Sequence, residues 1–266
     1  MQPPAAVLED FGASAQPVLL SGGQGITWRA GDIVLKPCRD IAETVLCAQV
    51  YSDLGQSVQP GFRLPQPLKT RRDQWISRGW SAWAFVPGRP QQGRWDDKIR
   101  ATLALHQALA QLPHQPIEPR ADDPWAQADR AAWGQVAQPL RPGLQPIVEA
   151  LRAVLRPIAA TDQLIHADIC GNFLFAEGGD PYIIDFTPSW RPAGFALGLL
   201  LVDALVWEGA DASVLDCLDS EPDFFQLLAR AHLRRLIELE TVHQRDDLVE
   251  EHWPTARLIC QWARGD

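Results

Sequence analysis

The chain has 266 residues, 46% of them hydrophobic, and a formal net charge of −9. A chain of this length and apolar content can bury a substantial core in one large domain or two modest ones, so disorder is not expected. The acidic balance argues against nucleic-acid binding, which normally requires a basic surface, and we expect small molecules as partners.

Several sequence features favour a cytoplasmic protein without a membrane segment. The N-terminal residues MQPPAAVLEDFG have no basic region followed by an apolar core, as a signal peptide would. The most apolar segment, Gly198 to Trp207, is too short to cross a bilayer and predicts a buried helix. The five cysteines form no C-x-x-C pair, which is typical of reduced thiols rather than a zinc site or a disulfide framework. The sequence does not indicate an oligomeric state.

A glycine-rich hairpin follows a short predicted helix over residues 4–12. Its strands are expected at Pro17 to Leu20, Ile26 to Arg29 and Ile33 to Lys36. Gly22, Gly23 and Gly25 lie between the first two strands, where glycine lets backbone amides approach a phosphate without side-chain interference. Because the Walker A spacing G-x-x-x-x-G-K-[ST] is absent, the pattern predicts a nucleotide-covering hairpin or, alternatively, a plain hairpin turn.

A helix and a second group of strands come next. The apolar spacing predicts a helix from Ile41 to Leu54. The residues expected on its inner face are Ala42, Val45, Leu46, Gln49, Val50 and Leu54. From Gly61 to Pro90 the pattern is strand-like, and its last strand, Trp80 to Val86, ends at a Pro-Gly break.

Helical periodicity dominates after Gly93. The predicted helices are Trp95 to Leu112, Asp123 to Val136, Leu144 to Ile158, Pro222 to Val242 and Asp246 to Arg264. On the first, we interpret His106 as a packed histidine rather than a catalytic one. Trp125 and Trp133 are expected on one face of the second, as apolar anchors or, alternatively, as a stacking surface for a ligand. The solvated side of the fourth is expected to carry Arg230, Arg234 and Arg235.

Four polar residues are concentrated in the stretch from Gln163 to Phe186, QLIHADICGNFLFAEGGDPYIIDF. His166 and Asp168 lie in a strand and the loop after it. Asn172 leads into a second strand and Asp185 closes a third, with a Gly-Gly-Asp turn between these two. Carboxylate and amide oxygens are the ligands that Mg²⁺ prefers when it also holds phosphates, so the pattern predicts phosphate chemistry. The alternative is that each residue only stabilises a turn or a strand end.

This stretch resembles the catalytic core of the aminoglycoside phosphotransferase and choline kinase-like family, whose pattern is H-x-D, then an Asn, then a strand ending I-D-F or I-D-W. These enzymes are small-molecule relatives of the protein kinases. The resemblance implies an α+β, two-lobed protein kinase-like fold. A small antiparallel sheet with one main helix is expected over residues 1–87, and a larger, mainly helical lobe over residues 88–266.

The resemblance assigns roles to the residues of the catalytic stretch. Asp168 would orient or deprotonate the acceptor hydroxyl, while Asn172 and Asp185 would hold Mg²⁺. His166, the other member of the H-x-D pair, would brace the catalytic loop. Asp168 and Asn172 are four residues apart, whereas the usual family spacing is five, so this loop is one residue shorter than in the family.

On the nucleotide side, the resemblance implies that the three hairpin glycines cover the phosphates. Lys36 would reach the α and β phosphates, with Glu43 as its acidic partner. Backbone groups near Ala84 to Val86 would meet the adenine edge. Asp203, in the apolar helix, would brace the catalytic loop by accepting from its amides. For Arg191 two interpretations stay open, a contact with an anionic substrate group or phosphate and a plain surface arginine.

The sequence therefore predicts a phosphotransferase that uses ATP or GTP and Mg²⁺ and moves the γ-phosphoryl group to a hydroxyl of a small molecule. An amino sugar, an antibiotic or an amino alcohol would fit the resemblance. Two alternatives stay open. One is a catalytically inactive kinase-like protein that binds nucleotide or a protein partner. The other is a hydrolase in which His166 and Asp168 bind a transition metal.

Overall fold

A computed structural model describes residues 1–21, 25–113, 123–218, 223–245 and 247–264. Two compact units divide the chain. Unit 1 contains Met1–Gln91, Gln107–Leu112 and Asn172–Phe186, and unit 2 contains Gln92–His106, Pro113–Gly171 and Thr187–Asp266. The boundary at residue 87 stays a prediction.

The helices and strands of the described residues follow the predicted order. The helices are α1 Ala5–Asp10, α2 Ile41–Leu54, α3 Trp95–Leu109, α4 Pro124–Ala132, α5 Gln145–Ala153, α6 Ala193–Val206, α7 Phe224–Glu238 and α8 Val249–Arg264. The strands are β1 Val18–Leu19, β2 Trp28–Ala30, β3 Ile33–Pro37, β4 Pro67–Leu68, β5 Ile76–Ser77, β6 Trp80–Ala84, β7 Gln163–His166, β8 Phe173–Leu174, β9 Tyr182–Ile183 and β10 Pro188–Arg191.

Unit 1 is built on an antiparallel sheet with the strand order β1-β2-β3-β6-β4, and β5 pairs with β6. Helix α1 packs Val7 and Phe11 into a core with Leu35 of β3 and Trp80 of β6. The register of β3 and β6 places Lys36 opposite Ser81, near the end of the strand pair. The sheet therefore fixes the backbone that carries this lysine.

Helix α2 begins at the N-cap Asp40, whose carboxylate accepts the backbone N–H of Glu43. Its bounds agree with the prediction, and its inner face agrees in part. Val50 and Leu54 are buried as predicted, whereas Val45 is 39% exposed and Gln49 is exposed. The face is rotated because the helix also buries Cys47 and Tyr51, whose polar groups find backbone acceptors.

A two-stranded hairpin, β8 and β9, completes unit 1, with Phe173 opposite Ile183. The predicted strand after Gly61 forms only a single parallel bridge, in which Arg63 pairs with Tyr182. Gly88 has a φ of +126°, and a Cβ there would lie 3.0 Å from the backbone of Phe175. A glycine is therefore required where the chain leaves the sheet and passes the hairpin.

Unit 2 is mainly helical, and α7 packs against α4, α5, α6 and α8. Every residue of α6 from Phe195 to Ala204 is buried, which agrees with the predicted apolar segment except at its end, where Trp207 lies beyond the helix and is 41% exposed. In the described residues, no helix is both long and apolar enough to cross a bilayer. The strands β7 and β10 pair antiparallel, with His166 opposite Pro188.

The two tryptophans of the Asp123 region do not share a face. Helix α4 ends at Ala132, one residue before Trp133. Trp133 packs edge-on against Phe195, with ring centroids 5.3 Å apart, whereas Trp125 is 37% exposed. Trp133 is thus the apolar anchor, and the single-face prediction was wrong because the helix ends at Ala132 and Trp133 lies outside it.

Candidate active site

The residues predicted to bind phosphate and Mg²⁺ lie in unit 1, where the ammonium of Lys36 pairs with the carboxylate of Asp185. These residues are 149 positions apart in sequence. Asp185 follows β9 with a φ of +55°, a left-handed conformation that non-glycine residues adopt at an energetic cost. Its side chain is 50% exposed. Such strain at an exposed carboxylate is typical of a functional position.

Two hydrogen bonds from α2 hold the backbone on either side of Asp185. The hydroxyl of Tyr51 donates to the carbonyl of Ile183 (3.3 Å), and the thiol of Cys47 donates to the carbonyl of Phe186 (3.3 Å). The Tyr51 ring also packs edge-on against Trp83 of the sheet, at 5.7 Å between centroids. Burial raises the pKa of both the Cys47 thiol and the Tyr51 hydroxyl, so both groups stay protonated as donors.

Asn172 is the last residue of a 3-10 turn, Cys170–Asn172, that leads directly into β8. Its carbonyl accepts the N–H of Ile184 (3.0 Å), which precedes Asp185. The shortened loop therefore still places the backbone of Asn172 beside the residue that precedes Asp185. A carboxylate and an amide oxygen suit Mg²⁺, which is bound by few protein ligands when phosphates supply the others.

No group of three or more His, Cys, Asp or Glu side chains in the described residues could hold a metal ion by itself. A structural or catalytic transition metal requires at least three such side chains as ligands. The donor pair of Asn172 and Asp185 fits the alternative, a hard cation that shares its coordination with a substrate.

The other residues predicted to bind the nucleotide are Gly22, Gly23, Gly25 and Glu43. Gly22 and Gly23 lie outside the described residues. Gly25 has a φ of +66° with open space beside its Cα, as a glycine-dependent turn requires. Glu43 occupies the first turn of α2. The ammonium of Lys36 pairs with Asp185, and the role of Glu43 as its partner stays a prediction.

The catalytic stretch of unit 2 begins at His166, the last residue of β7, which is fully buried. Its Nδ1 accepts the backbone N–H of Asp168 (3.3 Å) and that of Thr187 (3.4 Å). The ring therefore links the start of the catalytic loop to the start of β10. This geometry supports the predicted bracing role of His166.

His106, on α3, is packed as predicted, but it contacts the catalytic strand. Its Nε2 accepts the backbone N–H of His166 (3.2 Å), and its Nδ1 lies 2.7 Å from the carbonyl of Thr102. Burial lowers the pKa of His106 to about 4, so the ring is neutral, with Nδ1 protonated towards Thr102. No sequence pattern predicts this contact, because the two histidines are 60 residues apart.

Asp168 is exposed between the buried residues Ala167 and Ile169. Nη2 of Arg235, a residue of α7, donates to Oδ1 of Asp168 (3.4 Å). The same guanidinium donates to both carboxylate oxygens of Asp203, at 2.8 and 2.6 Å. Asp203 thus has the partner that a buried carboxylate needs, but that partner is an arginine.

Two sequence-based expectations are corrected by this contact. Within the described residues, the Asp203 carboxylate accepts from Arg235 and not from amides of the catalytic loop. Arg234 and Arg235 do not lie on the solvated side, because their side chains are only 5% and 11% exposed. The carboxylates of Asp203 and Glu238 compensate the two buried charges, which an assignment from apolar spacing alone does not detect.

Arg191 is not a surface arginine, and its contact with an anionic substrate group stays a prediction. Its side chain is 11% exposed and donates to Asp129 through Nε (3.0 Å) and Nη2 (2.5 Å). Nη2 also donates to Gln135 (3.0 Å), and the guanidinium lies over the Trp133 ring. Arg191 therefore ties β10 to the α4 region of unit 2.

The model of the phosphotransferase enzyme family, APH, matches residues 26–204, which is more than half of the chain. The chain belongs to the phosphotransferase enzyme family. The matched region contains Lys36, Asp168, Asn172 and Asp185. This phosphotransferase is a small-molecule kinase. No curated protein matches its sequence.

Solved structures show that this phosphotransferase has the protein kinase-like fold. A choline/ethanolamine kinase family protein from Mesorhizobium loti is similar over 96% of this chain and 90% of its own, with 17% identity and a TM-score of 0.58. A thermostable mutant of aminoglycoside phosphotransferase APH(4)-Ia, in a ternary complex with AMP-PNP and hygromycin B, is similar over 98% of each chain, with 15% identity and a TM-score of 0.65. An amicoumacin kinase with AMP-PNP and Ca²⁺ is similar over 93% of this chain and 88% of its own, with 13% identity and a TM-score of 0.63.

Proposed function

We propose that this phosphotransferase transfers the γ-phosphoryl group of ATP or GTP to a hydroxyl of a small molecule. The observation that supports this most is the pairing of Lys36 with Asp185 in unit 1. A lysine at a strand end and a strained, exposed carboxylate are brought together from sequence positions far apart. A phosphate-binding cation beside a metal-binding carboxylate is the arrangement that a nucleotide triphosphate with Mg²⁺ requires.

The proposed mechanism consists of positioning and charge neutralisation. Lys36 contacts the α and β phosphates, and the hairpin around Gly25 covers them. Asp185 and Asn172 would hold Mg²⁺, which would neutralise charge on the phosphate oxygens. Asp168 accepts the proton of the acceptor hydroxyl or orients it towards the γ-phosphate. His166 keeps the loop of Asp168 in place through its backbone N–H contacts.

Backbone hydrogen bonds at the end of β6 limit which amide N–H groups could bind the nucleotide base. The N–H of Ala84 donates to the carbonyl of Gln66 (2.7 Å), and that of Phe85 donates to the carbonyl of Asp32 (2.7 Å). These two amides are therefore engaged within the sheet. If an amide of the predicted segment binds the base edge, we expect it to be that of Val86.

For the acceptor we propose an amino sugar, an antibiotic or an amino alcohol. Solved structures of similar fold are those of a hygromycin B complex and a spectinomycin complex of aminoglycoside phosphotransferases, and of a choline/ethanolamine kinase family protein. An amino sugar or an amino alcohol carries both a hydroxyl and an amine. Asp168 is exposed and would face such a group with a carboxylate.

The rival hypothesis is a kinase-like protein that binds nucleotide without transferring phosphate, and the shortened loop between Asp168 and Asn172 motivates it. Calorimetric titration with ATP and GTP, with and without Mg²⁺, tests the nucleotide site. We expect binding that depends on Mg²⁺ and is weakened by Asp185→Asn. Binding without transfer to any of a broad panel of hydroxyl compounds would favour the rival, and absence of nucleotide binding would contradict the proposed function and favour a kinase-like protein that binds only a protein partner.

A further inference from the structure

The catalytic loop of unit 2 is contacted by two consecutive arginines of α7. Arg234 Nη1 donates to the carbonyl of Ala167 (2.9 Å), the residue between His166 and Asp168. Arg235 Nη2 reaches the Oδ1 of Asp168 (3.4 Å). One arginine thus contacts the backbone of the loop and the next contacts its carboxylate.

Both guanidiniums are held in a fixed orientation by carboxylates behind them. Arg235 donates to the two oxygens of Asp203 as a fork, at 2.8 and 2.6 Å, and Nη1 donates to Glu238 (2.9 Å). Arg234 Nε donates to the other oxygen of Glu238 (2.9 Å). Glu238 therefore joins the two arginines, and Asp203 anchors Arg235 to the buried helix α6.

This arrangement places a rigid cation on the buried side of Asp168. The side chain of Arg235 is 11% exposed and that of Asp168 is 54% exposed, so half of the carboxylate stays accessible to an acceptor. Burial disfavours the charge of Arg235, but the carboxylates of Asp203, Glu238 and Asp168 outweigh it and raise its pKa well above the ordinary value. The guanidinium is therefore charged throughout the working pH range.

We propose that Arg235 is a positioning residue for Asp168 and that Arg234 fixes the backbone of the same loop. The proposal rests on the function proposed above, since it gives the arginine pair a role in aiming the acceptor hydroxyl. A planar guanidinium anchored at two of its edges fixes the direction of its remaining N–H groups, which a flexible ammonium does not. The short loop of this chain, in which Asn172 follows Asp168 by four positions, is thereby held from α7.

The test uses Arg235→Gln and Arg235→Lys in the full chain, with Arg230→Gln as the matched control. Arg230 lies on the same helix and donates to the carbonyls of Gln226 and Arg156, away from the loop. We expect both Arg235 variants to lower kcat by about 10- to 100-fold, the usual effect of losing a hydrogen bond to a charged group. The dissociation constant for Mg²⁺-ATP is expected to be unchanged, as are all parameters of the control.

A double-mutant cycle separates positioning from general destabilisation. In the Asp168→Asn background, Arg235→Gln should lower the residual rate by less than about threefold, because coupled residues are not additive. Rescue of kcat by lysine, or a full additional loss in that background, would overturn the proposal.

Hydrogen exchange keeps the inference testable if the proposed function fails. We expect faster exchange of the amides of residues 164–171 in Arg234→Gln and Arg235→Gln than in the wild type, and no change in Arg230→Gln. If the wild type transfers no phosphate, the proposed function is contradicted, and unchanged exchange would then overturn the role of the arginine pair as well.

Discussion

Replacement of His106 by glutamine is expected to make the protein less sensitive to acid. His106 is fully buried and neutral, with Nε2 accepting the N–H of His166, and burial lowers its pKa from 6.5 to about 4. A base whose pKa is lowered by folding is protonated more readily in the unfolded chain. Its contribution is therefore present above the unfolded pKa and is lost as the pH falls towards the folded one.

The size of the effect follows from the two pKa values. As the pH falls from 7 to 5, the wild-type free energy of unfolding should decrease by about 2 kcal/mol because the folded protein keeps His106 neutral. The decrease is about 1.4 kcal/mol per pH unit below the unfolded pKa. A glutamine can keep an acceptor for the N–H of His166 but does not titrate. His106→Leu is the companion variant, since it removes the acceptor and should cost about 1–3 kcal/mol even at neutral pH.

Urea unfolding followed by circular dichroism at several pH values measures both effects. Because the burial of His232 and His252 lowers their pKa values in the wild type and the variant alike, the difference between the two curves isolates His106. Parallel curves for the wild type and His106→Gln between pH 7 and pH 5 would refute the assignment of a neutral His106 beneath the catalytic strand.

Three further outcomes are expected. Arg191→Gln leaves the buried carboxylate of Asp129 without its cation and should lower the free energy of unfolding by about 3–5 kcal/mol in denaturant titrations. A loss limited to acceptor affinity would show that Arg191 is a substrate residue instead. Tyr51→Phe removes the donor to Ile183 and should cost about 1 kcal/mol of stability in the same assay, while an unchanged midpoint would show that the hydroxyl does not support the Asp185 backbone. Lys36→Met should raise the KM for the nucleotide by about 10- to 100-fold in steady-state kinetics, and an unchanged KM would exclude a contact between Lys36 and the phosphates.

The sequence predicts much of the fold because local patterns define it. The bounds of α2 follow from apolar spacing and an Asp N-cap, and the β8–β9 hairpin follows from its Gly-Gly-Asp turn. Asn172 and Asp185 are consequently found where strands begin and end. The pairing of Asp185 with Lys36 was not predicted, because the family resemblance implied Glu43 as the partner of Lys36 and no local pattern joins residues 149 positions apart.

The contacts that hold the catalytic loop were not predictable in the same way. Helix α7 is buried on nearly every side, so the rule that charged residues mark the solvated face fails for Arg234 and Arg235. Their charges are compensated by Glu238 on the same helix and by Asp203 on another. The spacing R-R-x-x-E in a largely apolar helix is the signal that could have identified this buried pair.

The most direct test of the proposed phosphotransferase is ³¹P NMR of Mg²⁺-ATP with a panel of amino sugars, antibiotics and amino alcohols, comparing the wild type with Asp168→Asn. For the wild type we expect ADP and a new phosphomonoester signal with at least one acceptor. For Asp168→Asn we expect transfer slower by about 10²-fold or more, as for the loss of a catalytic base, with nucleotide binding retained. Transfer at the wild-type rate by Asp168→Asn would contradict the assignment of the catalytic residue.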